Sequence, residues 1–283
     1  MATAHNGNCE IFYETFGDSS YPALLLVNGL GGQCINYHEQ WCRTFAARGL
    51  SVIRFDNRDV GLSSKFDDAP RGPKGEAYTL SDMARDAIAV LDAEGISQAH
   101  AMGLSMGGMI VQTLAIEHPE RLLSMTSVMS TTGEPEYGQP TAHALALLTG
   151  PPAIDRESYI ANHIAGLREW GSPEFADEAR WRADAERAFD RCFHPSGTGR
   201  QLLAVRASGP RADKLRHVTV PTLVMHGDRD TLIDVSGGRR TAELIAGARF
   251  ELIEGMGHDY PPQLWDDWVQ LVADHALSSA RSN

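Results

Sequence analysis

The stretch Ala99–Val111 reads AHAMGLSMGGMIV and places one serine among three glycines. An apolar run typical of a strand ends at Gly103, and a run with helical spacing begins after Ser105. Glycines at positions 103, 107 and 108 leave space for neighbouring segments to pass close to a sharp turn. The stretch therefore predicts a strand, a tight turn that exposes Ser105, and a helix.

The pentapeptide Gly103–Gly107 fits the pattern G-x-S-x-G. Between a strand and a helix, this pattern presents a serine hydroxyl as a nucleophile. A serine is a weak nucleophile at neutral pH, so this interpretation requires a histidine that takes its proton and a carboxylate that orients the histidine. A glycine-serine turn without chemistry is the alternative that the pentapeptide alone leaves open.

The best placed of the eleven histidines is His258. It follows the apolar, strand-like run ARFELIEG in a loop of small residues that can carry an imidazole over the ends of the strands. We interpret His226 as a packing residue at the end of a strand. We interpret His118, which precedes a proline, as a helix terminus.

Two candidates for the acid, Asp228 and Asp230, directly follow the apolar run VTVPTLVMH. We favour Asp230, because Asp228 lies beside the end of the strand and can cap the turn with its side chain. An acid after the preceding strand is the alternative, and Glu134 and Glu136 lie there.

A tetrahedral oxyanion needs two N–H donors. The backbone N–H of Met106 follows the nucleophile at a helix N-terminus, and the backbone N–H of Leu30 lies in the glycine-rich loop after the apolar run ALLLV. The pair Gly29 and Gly31 also fits the start of a dinucleotide-binding fingerprint, but Cys34 stands at the third glycine position.

Short apolar runs alternate with amphipathic ones along most of the chain, which is typical of parallel strands joined by helices. From residue 132 to 215 the alternation stops, and a glycine- and proline-rich passage leads into helical sequence with large aromatic residues, among them Trp170, Trp181, Phe189 and Phe193. We predict an α/β fold with a mostly parallel central sheet flanked by helices, a core formed by residues 1–131 and 216–283, and an inserted helical cap at 132–215. The aromatic residues would line an apolar pocket or form the core of the cap.

The 283 residues suffice for one large domain or a core with an insertion. The net charge of −12 argues against a nucleic-acid partner, which needs a clustered basic surface. No apolar window is long enough for a membrane span, and no secretory signal is visible, so a cytoplasmic location is expected. The four cysteines have no metal-binding spacing, and we interpret them as free thiols.

The ordered phrases NGLGG, FDNRDVGLSS, GLSMGG, VPTLVMHGDRD and GMGH resemble the α/β-hydrolase superfamily over nearly the whole chain. The second and fourth phrases are most similar to the aclacinomycin methylesterases and the mycobacterial lipase/esterase-like carboxylesterases. The resemblance implies a triad of Ser105, Asp230 and His258 and an oxyanion hole of Leu30 and Met106. The sequence departs from the pattern twice, with Asp59 in place of the usual glycine and Asn28 in place of a common histidine.

These residues predict a serine hydrolase that cleaves carboxylic esters through an acyl-enzyme intermediate, without a metal or an organic cofactor. The expected substrate is a hydrophobic small molecule of small to medium size. The same triad could cleave carbon–carbon bonds or thioesters, and a noncatalytic ligand-binding protein on this fold is a third possibility. Serine at position 105 argues against dehalogenase or epoxide hydrolase chemistry, which uses a carboxylate nucleophile.

Overall fold

The computed structural model describes residues 2–279. Within these residues, eight strands form one sheet: β1 (Ala2–Asn6), β2 (Cys9–Phe16), β3 (Ala23–Val27), β4 (Ser51–Phe55), β5 (Ala99–Leu104), β6 (Leu122–Val128), β7 (Thr222–Gly227) and β8 (Arg249–Ile253). Their order across the sheet is β1-β2-β4-β3-β5-β6-β7-β8. β1 and β2 form an antiparallel hairpin, β2 pairs antiparallel with β4, and the other neighbours pair parallel. The predicted mostly parallel sheet is confirmed.

The described chain also contains ten α-helices: α1 (Glu39–Ala47), α2 (Leu80–Ala93), α3 (Met106–Glu117), α4 (Ala142–Leu148), α5 (Arg156–Trp170), α6 (Glu178–Arg191), α7 (Pro195–Ser208), α8 (Ala212–Leu215), α9 (Ser236–Leu244) and α10 (Trp265–Ser279). The start of α2 follows from its sequence. Thr79 is the N-cap, and its side chain and that of Asp82 form the reciprocal hydrogen bonds of a capping box. None of these helices combines the length and apolarity that a bilayer crossing requires.

Helices cover both faces of the sheet, which explains why the central strands are apolar without alternation. All five residues of β3 are buried. Leu25 packs into the same core cluster as Met83 of α2, whereas Leu24 packs into a second cluster with Trp41 of α1 and Trp268 of α10. Successive side chains of a strand point to opposite faces, so one short strand contributes to both cores.

Residues 132–215 contain the five helices α4 to α8 and none of the described strands. Trp181 of α6 packs with Ile160 and Ile164 of α5 in a small core cluster of its own. The rings of Phe189 and Phe193 lie 4.6 Å apart, centroid to centroid. A Cβ atom at Gly166 would lie 2.4 Å from Cζ2 of Trp170, so this indole also lies against its own segment. The four aromatic residues singled out from the sequence therefore all pack against residues of the segment.

Candidate active site

Ser105 connects β5 to α3 with a backbone φ of 54° and ψ of −117°. Positive φ is unfavourable for a residue with a Cβ atom, so this turn is strained and must be held by its surroundings. A Cβ atom at Gly103 would lie 2.1 Å from the carbonyl oxygen of Gly107, and one at Gly107 would lie 2.1 Å from that of Val27. The glycines thus allow a turn that leaves Ser105 partly exposed at the carboxyl edge of the sheet.

The imidazole of His258 comes from the loop that follows β8. Its Nδ1 atom lies 2.7 Å from Oδ2 of Asp230, and its backbone N–H donates to the carbonyl oxygen of Trp170 at 2.5 Å. Because a carboxylate only accepts, Nδ1 carries a proton, and in the neutral form of the imidazole Nε2 has the free lone pair. This is the tautomer that a general base requires.

The carboxylate of Asp230 is buried and has donors on both oxygens. Oδ1 accepts the backbone N–H groups of Leu232 at 2.9 Å and Ile233 at 2.8 Å, and Oδ2 accepts the hydrogen bond from His258. Burial alone would raise the pKa of this carboxyl. The charge of His258 and hydrogen bonds from His226 and His258 outweigh burial and lower the pKa to about 2. Asp230 is therefore held in its ionised form.

The other candidate acids lie elsewhere. Oδ1 of Asp228 accepts the backbone N–H of Gly255 at 2.8 Å and so closes a turn between the loops after β7 and β8. Glu134 forms a two-pronged ion pair with Arg240, at 3.0 Å on each oxygen, and Glu136 is exposed. Of the acids considered from the sequence, the structure brings Asp230 to His258.

His226 has a role that the sequence did not indicate. Its Nε2 atom lies 2.8 Å from the carbonyl oxygen of Ile233 and 3.3 Å from Oδ2 of Asp230. A carbonyl oxygen only accepts, so Nε2 carries the proton. The only signal in the sequence was its position four residues before the acid.

Asp259, the residue after His258, is a second buried carboxylate. Its Oδ1 atom accepts the backbone N–H of Ser172 at 3.0 Å and also the hydroxyl of Ser172, whereas Oδ2 has no hydrogen-bond partner within residues 2–279. Burial raises the pKa of this carboxyl, despite the hydrogen bonds from Ser172. The contact ties the end of α5 to the loop that carries His258.

The glycine-rich loop after β3 passes directly over Ser105, because a Cβ atom at Gly29 would lie 3.2 Å from Cβ of Ser105. In the described chain, the backbone N–H groups of Leu30 and Met106 donate no hydrogen bond. Both predicted oxyanion donors are therefore free to bind an anion. The hydroxyl of Ser105 has no hydrogen-bond partner among residues 2–279, so it makes no hydrogen bond to Nε2 of His258. In enzymes without bound substrate, hydrogen bonds between catalytic side chains are often long, and they shorten when substrate binds.

Two aspartates of the segment Asp56–Ser63 have structural partners. Asp56 accepts the backbone N–H of Cys34 at 2.6 Å and pairs with Arg191 of α6 at 2.7 Å. Asp59, the departure from the family pattern, has a φ of 73°. Its carboxylate accepts hydrogen bonds from Nε and Nη2 of Arg200 at 2.8 and 2.7 Å. Both carboxylates are therefore engaged in ion pairs with arginines of the segment 132–215. Within residues 2–279, no cluster of three potential metal ligands occurs.

The sequence profile of the serine aminopeptidase, S33, family matches residues 19–261. The chain is 28% identical to rhodomycin D methylesterase DauP of Streptomyces sp. (strain C5) over 95% of both chains, and 27% identical to 3-oxoadipate enol-lactonase 2 of Acinetobacter baylyi over 92% of this chain and 91% of the relative. The solved structure of Est816, described as an N-acyl homoserine lactone degrading enzyme, is 25% identical, with a TM-score of 0.76 over 96% of this chain and 99% of the other.

Proposed function

Because the chain belongs to the serine aminopeptidase, S33, family and has the α/β-hydrolase fold, we propose that it hydrolyses carboxylic esters of small molecules with Ser105 as the nucleophile. The observation that carries the proposal is the hydrogen bond of 2.7 Å between His258 and the ionised Asp230, at the same sheet edge as the strained turn of Ser105. The methylesterase and the enol-lactonase, relatives that match over nearly the full chain, support ester substrates.

In the first half of the reaction, Oγ of Ser105 attacks the carbonyl carbon of the ester while Nε2 of His258 takes the hydroxyl proton. Asp230 keeps the imidazole in the correct tautomer and stabilises the imidazolium that forms. The carbonyl oxygen becomes an oxyanion between the backbone N–H groups of Leu30 and Met106. Met106 is the first residue of α3, so the helix dipole adds to the stabilisation of negative charge.

In the second half, the imidazolium of His258 gives its proton to the leaving alcohol as the ester C–O bond breaks. A water molecule then attacks the acyl-enzyme while His258 takes one of its protons. Collapse of the second oxyanion releases the carboxylic acid and returns the proton to Ser105. Each proton that leaves an oxygen is returned to another, so the cycle closes with the triad unchanged.

We also propose that residues 132–215 form a cap on the core made of residues 1–131 and 216–283. Support comes from the separate core cluster around Trp181. The segment also contacts the site itself, since Trp170 accepts the backbone N–H of His258. A cap at this position would cover the ester and favour a hydrophobic acyl or alcohol group of small to medium size.

The proposal is tested with p-nitrophenyl esters of increasing acyl length, using the wild type, Ser105→Ala and, as a matched control, Ser20→Ala in an exposed loop. We expect activity and fluorophosphonate labelling in the wild type and in Ser20→Ala, and neither in a folded Ser105→Ala. Labelling without ester hydrolysis would instead favour carbon–carbon bond or thioester cleavage by the same residues. A folded wild type that shows neither would favour a noncatalytic ligand-binding protein.

A further inference from the structure

One buried side chain ties the loop that carries Leu30 to helix α7. Oε1 of Gln201 accepts the backbone N–H of Gly31 at 2.8 Å, and Nε2 of Gln201 donates to the carbonyl oxygen of Arg58 at 2.8 Å. Gln201 is wholly buried. An N–H can only donate and a carbonyl can only accept, so this orientation of the amide is the one that satisfies both neighbours.

The Gly29–Gly32 loop is a four-residue turn closed by a hydrogen bond from the N–H of Gly32 to the carbonyl oxygen of Gly29 at 3.2 Å. Its third residue, Gly31, has a φ of 68°, as the third residue of a type II turn has. Type I and type II turns differ in the direction of their central peptide, here the one that joins Leu30 to Gly31. Gln201 holds the N–H of that peptide and so selects one form of the turn.

We propose that Gln201 is a positioning residue of the oxyanion hole, which keeps the N–H of Leu30 directed at the developing oxyanion by fixing the Gly29–Gly32 turn. This inference rests on the proposed function. Without Gln201, the peptide that joins Leu30 to Gly31 could rotate. The adjoining peptide, which carries the N–H of Leu30, would then no longer be held in one direction. A preorganised donor stabilises the transition state without reorganisation during the reaction, so a donor that moves loses part of its effect.

Helix α7 is a firm support for this contact. Arg200, the neighbour of Gln201, forms the buried two-pronged ion pair with Asp59. A Cβ atom at Gly31 would lie 2.9 Å from Oγ1 of Thr198, so the turn packs closely against α7. Gln201 therefore projects from a helix that is itself anchored to the core, as a precise site requires.

The test compares Gln201→Met, which keeps the length of the side chain but removes both hydrogen bonds, with Gln112→Met. Gln112 is also wholly buried and also makes two side-chain hydrogen bonds, to Ser127 and Arg211, remote in sequence from the Gly29–Gly32 turn. Loss of one oxyanion donor costs about 10²- to 10³-fold in kcat, so its misplacement in Gln201→Met should cost about ten- to a hundredfold. KM should stay within about threefold, and the affinity for a tetrahedral boronic acid should fall in parallel with kcat.

Gln112→Met should lose stability but keep kcat within about threefold of the wild type. A folded Gln201→Met with unchanged kcat and boronic acid affinity overturns the inference. If this variant does not fold, amide hydrogen exchange of the wild type decides, because the N–H of Gly31 should exchange at least about tenfold more slowly than the free N–H of Leu30. Equal exchange rates would overturn it. Failure of the proposed function is distinct, since the wild type would then hydrolyse no ester and take no fluorophosphonate label.

Discussion

Nε2 of His226 lies 3.3 Å from Oδ2 of Asp230, the same carboxylate oxygen that accepts the hydrogen bond from Nδ1 of His258. The carboxylate is thus enclosed by two imidazoles and by the two backbone N–H groups that bind its other oxygen. Such an enclosure satisfies a buried anion without an arginine or lysine partner. It also fixes the direction from which Asp230 can orient His258.

Asp230→Asn should lower kcat by roughly 10³- to 10⁴-fold, because an amide can turn its NH₂ group towards Nδ1 of His258 and favour the wrong tautomer. Asp228→Asn should change kcat by less than about threefold, since the amide oxygen can still accept the N–H of Gly255. Steady-state hydrolysis of a p-nitrophenyl ester measures both. Equal losses in the two variants would contradict the assignment of the acid.

The lowered pKa of Asp230 predicts a dependence of stability on pH. Between pH 4 and pH 2 the unfolded chain binds a proton at this position while the folded chain remains ionised, so stability falls as the pH falls. A change in pKa from 3.8 to about 2 corresponds to about 2 kcal/mol in the free energy of unfolding. Urea unfolding across this range should show a shallower decline in Asp230→Asn than in the wild type. An identical decline would argue against the lowered pKa.

Asp259 should behave in the opposite way, because burial raises its pKa. Above the ordinary pKa of an aspartate the folded chain retains the proton longer than the unfolded chain, so stability falls as the pH rises through this range. Asp259→Asn keeps an oxygen for Ser172 and has no charge to bury. Its free energy of unfolding at pH 7 should therefore equal or exceed that of the wild type. A marked destabilisation at pH 7 would mean that the ionised carboxylate has a favourable partner.

The turn of Ser105 predicts two contrasting glycine substitutions. Gly103→Ala should destabilise the fold by more than about 3 kcal/mol, because its Cβ atom would lie 2.1 Å from a backbone oxygen that cannot move freely. At Gly199 in α7 the new Cβ would meet no atom within 4 Å beyond the adjacent residues and the backbone of its own helix, so Gly199→Ala should stabilise the helix by about 0.5–1 kcal/mol. Denaturant midpoints compare the two. Similar midpoints would show that the turn relaxes more easily than its packing indicates.

The sequence predicted the elements whose signals are local. The helix expected directly after Ser105 runs from Met106 to Glu117 in the structure. Thr79 and Asp82, three positions apart at the start of α2, form a capping box, which is a signal of the same local kind. The sheet follows from alternating apolar and amphipathic runs. These features depend on residues a few positions apart, so pattern and capping chemistry are sufficient to find them.

The contacts that the sequence could not predict join distant parts of the chain. The hydrogen bond between Gly31 and Gln201 spans 170 residues, and that between Gly257 and Ser172 spans 85. Gln201 lies inside a helix and Ser172 follows one, and glutamine and serine are equally common at such positions on a protein surface. The sequence around them therefore gives no sign that they are buried and make these contacts. The partnership of His226 with Asp230 likewise depends on how the loop after β7 turns back, which residue types alone do not specify.

The contacts of residues 132–215 with the loops that carry Leu30 and His258 have a consequence for protein engineering. This segment supplies the carbonyl oxygen of Trp170 to His258 and the amide of Gln201 to Gly31. A chimaera that replaced the segment to change substrate preference would also remove these two contacts from the loops of Leu30 and His258. A grafted segment would therefore have to provide equivalent acceptors at both points, because any change in this segment also changes how the loops of Leu30 and His258 are held.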